Sequence, residues 1–66
     1  MTYKVEFSYT SAKGKRIHEE DTSFAFTADE AVKNVLNFYR DLPRLRVERV
    51  WADRDNRWEV TTAWDI

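Results

Sequence analysis

The chain has 66 residues, 11 of them Lys or Arg and 12 Asp or Glu, with no cysteine, one glycine and one proline. A domain of this size buries only about 60% of the surface its unfolded chain exposes, so most apolar side chains are committed to folding and little is left to wrap a substrate. The absence of cysteine excludes disulfides, thiolate metal sites and a cysteine nucleophile; the formal net charge of −1 excludes a global attraction for nucleic acid or anionic lipid, though local patches remain open to either.

Met1-Thr2-Tyr3-Lys4 is not a basic region leading into an apolar stretch, and no apolar run approaches the roughly 18 residues of a membrane span. An unprocessed cytoplasmic chain with no membrane partner is expected. Tyr3, Val5, Phe7 and Tyr9 alternate with Lys4, Glu6, Ser8 and Thr10, the period of a strand with one buried face, over about residues 2–11. Gly14 marks a turn at Lys13-Gly14, and a second strand follows over about residues 15–26. A two-residue turn pairs Tyr3 with Phe24, Val5 with Thr22, Phe7 with Glu20 and Tyr9 with His18, which places Phe24 and Phe26 on the face of the first strand's aromatics. It leaves Ile17 on the other face and sets Glu20 beside Phe7; a bulge within Glu19-Glu20-Asp21 would relieve both.

Residues 27–43 read as a helix. Thr27-Ala28-Asp29-Glu30 is a capping box and Pro43 closes the segment. Ala28, Ala31, Val32, Val35, Phe38, Tyr39 and Leu42 recur at spacings of three and four, one apolar stripe flanked by Leu36, with Asp29, Lys33, Asn34, Asn37, Arg40 and Asp41 on the wet side. Asp29 and Lys33 form an acid-before-base pair four residues apart.

Strands over about residues 44–53 and 57–65 follow, joined by a turn centred on Asp55-Asn56. That register pairs Trp51 with Val60, Val47 with Trp64, Leu45 with Ile66 and Arg46 with Asp65, so apolar meets apolar on one face and opposite charges meet on the other. Trp51 and Trp64 are expected in the core, and Trp58 partly exposed near the hairpin tip.

The whole is one α+β domain over residues 1–66 with the order ββαββ: a four-stranded, mostly antiparallel sheet with one helix packed on one face. A helix between the second and third strands makes those two parallel with other strands between them. With Met1-Thr2-Tyr3-Lys4-Val5, the glycine turn and the Thr27–Glu30 helix start, the opening is similar to that of the ubiquitin-like β-grasp family. The resemblance implies the strand order 2-1-4-3, with the first and last strands adjacent; an all-antiparallel order is the alternative. Conjugated members of that family end in paired glycines, whereas this chain ends Ala63-Trp64-Asp65-Ile66, so a conjugation role is not expected.

No constellation names a reaction. His18 has no second ligand at metal spacing and no nucleophile beside it in sequence, Glu19-Glu20-Asp21 lacks the spacing and glycine of a calcium loop, and one glycine cannot make a phosphate-cradling loop. No cofactor, no metal and no catalytic residue are expected, and a one-layer sheet under one helix offers no cleft to separate the pKa values of a catalytic pair. Arg40, Arg44, Arg46, Arg49, Arg54 and Arg57, with Trp51 and Trp58 among them, have the composition of a surface that stacks on bases and grips phosphates, tempered by Asp41, Glu48, Asp53 and Asp55.

In size and hairpin-helix-hairpin topology the chain resembles the small proteins carried by phages and other mobile elements, including some anti-CRISPR inhibitors. That resemblance implies a non-catalytic interaction module that occludes a surface of a larger protein or ribonucleoprotein complex. The expected binding residues are Arg54, Arg57 and Trp58 at the second hairpin's tip, with Arg46 and Glu48 from the open sheet face. The alternative is a small RNA or single-stranded nucleic-acid binder using the same arginines. A homodimer formed by edge-strand pairing is also compatible with the pattern.

Overall fold

A computed structural model describes residues 1–61. Its elements are β1 (Thr2–Thr10), β2 (Arg16–Phe24), α1 (Ala28–Phe38), β3 (Arg46–Arg54) and β4 (Arg57–Thr61), the ββαββ arrangement expected, with one helix on one sheet. Among the described residues no helix is long and apolar enough to cross a membrane.

The sheet runs β2-β1-β3-β4 with every neighbouring pair antiparallel, which corrects the 2-1-4-3 order. β2 and β3 are parallel to one another with β1 between them, as a helical crossover requires. Burial explains why β3 takes the central place. Its Val50 and Ala52, opposite Val5 and Tyr3 of β1, are sealed beneath the helix, whereas four of the five residues of β4 are exposed and suit an edge.

The first hairpin differs from expectation by one residue. Ser11 N–H bonds the Lys15 carbonyl at 2.7 Å and Gly14 N–H bonds the Ser11 carbonyl at 2.9 Å, so the loop is the three residues Ala12-Lys13-Gly14, with Gly14 at φ 81°. The register becomes Tyr9 with Ile17, Phe7 with Glu19, Val5 with Asp21 and Thr2 with Phe24, without a bulge in Glu19-Glu20-Asp21. A one-residue slip turns every β2 side chain to the other face. Ile17 therefore joins the side of Tyr9, while Phe24 and Phe26, expected in the core, are 77% and 86% exposed and Ala25 is buried between them.

The core is Tyr3, Val5 and Phe7 of β1, Val50 and Ala52 of β3, Ala25, and Ala28, Ala31, Val32 and Val35 of α1. Small residues on the helix let it lie close to the sheet. The Thr27 hydroxyl accepts from Glu30 N–H at 3.1 Å, as the capping box predicts, and Lys33 reaches Asp29 at 3.0 Å.

The helix ends sooner than Pro43. Tyr39 is its C-cap, with N–H bonded to the Val35 carbonyl at 3.0 Å, and the Tyr39 hydroxyl donates to Asp21 Oδ2 of β2 at 2.6 Å. That bond holds the phenol's pKa above its usual value, with burial and the charges of Asp21 and Glu19 acting in the same direction. Tyr39 stacks at 4.7 Å on Phe7, which leaves Phe38 outside the core at 78% exposure, contrary to the stripe.

The second hairpin turns at Asp55 and Asn56, both at positive φ, and pairs Trp51 with Val60 and Asp53 with Trp58. The pairings proposed for Trp64, Asp65 and Ile66 lie outside the described residues. Glu6 pairs with Arg49 but Phe7 with Val47, so Glu48 is the extra residue of a β-bulge. Before the bulge Val47 faces the helix; after it Val50 and Ala52 do, and Trp51 faces away. This corrects the core position expected for Trp51.

Candidate interaction surface

The register sets the face of the sheet that the helix leaves uncovered. Across β2, β1 and β3 it carries the rows His18-Ser8-Arg46, Glu20-Glu6-Arg49 and Thr22-Lys4-Trp51, the last extended by Val60 of β4, with Trp58 opposite Asp53 beyond it. Two clusters with different chemistry result.

Toward the second hairpin's tip the face is aromatic and cationic. Lys4 Nζ lies 5.5 Å from the ring centre of Trp51 and 5.0 Å from that of Trp58, and the Arg49 guanidinium lies 5.6 Å from Trp51. Each such contact contributes about 0.5–1 kcal/mol at an exposed site. Trp51 is half-buried, and its indole N–H is buried with no partner among the described residues. Trp58 and Val60 stay 40% and 51% exposed.

At the other end the face is polar and closed. Ser8 is completely buried; its hydroxyl donates to Glu48 and accepts from Arg16 Nε at 3.0 Å. Arg16 also donates to Thr10 Oγ1 at 3.2 Å and to the Ser8 carbonyl at 3.4 Å, while Arg46 donates to Glu48 Oε1 at 3.4 Å. The Ser8 hydrogen bond holds the Glu48 carboxyl below its usual pKa against the opposing effect of desolvation, helped by Arg46 and by His18. Although Ser8 stands opposite His18, its proton is directed at Glu48 and its oxygen has no path to solvent. This is a structural relay, Arg16 to Ser8 to Glu48, rather than an exposed nucleophile. Among the described residues no three His, Cys, Asp or Glu side chains converge to hold a metal ion.

The five residues singled out from the sequence do not form one patch. Arg46 and Glu48 pair with each other at one end of β3, and Arg54 pairs with Glu59 at 3.7 Å at the other, where it stands opposite Arg57. At about 3.3 Å per residue, Arg46 and Arg54 are roughly 26 Å apart along the strand. Only Trp58 joins the aromatic cluster.

Sequence reasoning paired Trp51 with Val60, as the structure does, but on the core face; it missed Lys4 as their neighbour, and Ser8 and Arg16 as partners of Glu48. The alternation placed Lys4 and Ser8 on the open face, but their neighbours there depend on the bulge and on the three-residue loop. Compared with family models, curated proteins and solved structures, the chain matches none.

Proposed function

We propose that the chain is a non-catalytic protein-interaction module that docks its uncovered sheet face on a larger protein or ribonucleoprotein complex and acts by occluding the surface it covers. The observation that carries this reading is the cluster of Trp51, Trp58 and Val60, flanked by Lys4 and Arg49, on a sheet face that carries no second layer among the described residues. Aromatic side chains with a cationic rim are the composition in which interface energy concentrates. The arginines of the second hairpin support nucleic-acid binding as one surface less, because Arg46 and Arg54 stand at opposite ends of β3.

The test is quantitative affinity capture from the native cell with the full chain and with a Trp58→Ala/Val60→Ser variant. Trp58 and Val60 are 40% and 51% exposed, and an unfolding curve of the variant checks that it keeps the fold. Loss of a partner that the wild type enriches supports the reading; equal capture by the variant overturns it.

A further inference from the structure

The charge of this protein is segregated in a way its net value conceals. The β1–β2 turn and the α1–β3 connection meet at one end of the molecule, tied by Thr10 N–H to the Pro43 carbonyl at 2.9 Å. Residues 10–16 and 43–48 bring together Lys13, Lys15, Arg16, Arg44 and Arg46 with a single acid, Glu48, a formal +4 in a chain of total −1, so the rest carries −5. Between these segments is a cleft of about 590 Å³ lined by Thr10, Gly14, Arg16, Arg44, Leu45 and Arg46.

Each cation of the cleft has capacity left for a ligand. Arg16 uses three of its five N–H groups on Ser8 and Thr10 and contacts no carboxylate among the described residues. Arg46 shares its charge with Glu48 through one contact at 3.4 Å. Arg44 has no side-chain hydrogen bond or ion pair among the described residues, and it holds φ 54°, a left-handed conformation in which Gly or Asn is far less strained. A strained arginine beside two others, its charge unmatched among the described residues, is an observation that points to a ligand.

We propose that this cleft binds a phosphate group, with the forks of Arg16, Arg44 and Arg46 taking its oxygens and the Thr10 hydroxyl as a further donor. Three guanidiniums against one carboxylate leave a local surplus of two positive charges, matching a phosphate dianion, and planar N–H forks suit its oxygens. The group arrives as free phosphate or a monoester, whose dianion the surplus matches, or as a nucleic-acid backbone, whose diester carries one negative charge; the cleft recognises the shared oxyanion. This site lies at the opposite end of the sheet from the Trp51–Trp58 cluster and does not rest on the docking reading.

The test is an NMR titration of the full chain at constant ionic strength with inorganic phosphate and, separately, with a short single-stranded oligonucleotide. Saturable shifts centred on Thr10, Gly14, Arg16 and residues 44–46 are expected. Arg44→Gly should weaken them about tenfold or more while keeping the fold, since glycine suits that φ, and Lys33→Gln, an equal charge change on the helix, should not. Saturation by phosphate alone supports the site with a free or monoester source, and tighter saturation by the oligonucleotide at the same residues supports it with a backbone source. Binding by neither probe, shifts spread equally over Arg54 and Arg57, or unchanged affinity in Arg44→Gly overturns the proposal.

Discussion

Replacing Ser8 by alanine tests the relay beneath the open face most directly. The substitution deletes one oxygen and with it two contacts to charged groups, the donation to Glu48 and the acceptance from Arg16. A hydrogen bond to a charged group contributes about 1.5–3 kcal/mol. Because Arg16 and Glu48 are partly exposed, they regain water and can close on each other, so the net loss falls near the low end of one bond, about 1.5–2 kcal/mol. For a domain of this length that lowers the melting temperature by about 10 °C.

The assay is thermal and urea unfolding of wild type and Ser8→Ala at pH 7 and pH 3. The sign of the pH effect follows from Glu48, whose carboxyl is held below its usual value. Its stabilising contribution is complete above the ordinary carboxylate pKa and is lost as pH falls through the lowered folded value. The penalty of Ser8→Ala must therefore shrink in acid. A loss under about 0.5 kcal/mol at neutral pH, which is the range of a surface substitution, or a loss equal at both pH values, refutes the relay.

Tyr39→Phe should cost about 1–2 kcal/mol through the bond to Asp21. In the wild type the raised phenol pKa means that this contribution is present below the ordinary tyrosine value and drains as pH rises through the raised one. A spectroscopic titration in which Tyr39→Phe removes no phenolate step above about pH 10 contradicts it. Gly14→Ala should cost about 1–2 kcal/mol from backbone strain alone, since a β-carbon there meets nothing within 4 Å. Gly14→Asn should cost less, and equal losses in urea unfolding would show that the left-handed φ is not the cause. Val50→Ala should lose about 2 kcal/mol, whereas Phe38→Ala, larger but 78% exposed, should lose under about 0.5 kcal/mol. The reverse ranking would restore Phe38 to the core.

The candidate surface was only partly legible in the sequence. Trp58 could be placed near a hairpin tip and partly in solvent because Asp55-Asn56 specifies a tight turn and the counting from it is short. Arg46 and Glu48 could be placed on the open face, but their partners Ser8 and Arg16 could not, since β1 and β2 reach them from the far side of the chain. The basic cleft was invisible for the same reason. Lys13, Lys15 and Arg16 join Arg44 and Arg46 only when the first turn folds against the end of the helix connection.

What the residues determined by themselves was the set of elements: alternation in residues 3–9, the Thr27 cap with its Ala-Val stripe, and the Asp55-Asn56 turn each depend on interactions spanning a few residues. Strand order, the Glu48 bulge, the first hairpin's register and the face on which Trp51 and Phe24 lie were decided by tertiary structure. Side chains alternate every residue along a strand, so one extra residue in a loop or a bulge reverses a whole face with little local energetic signature. The preference between the two faces arises only when distant segments pack, where Val5, Val32 and Val50 seal one another from water.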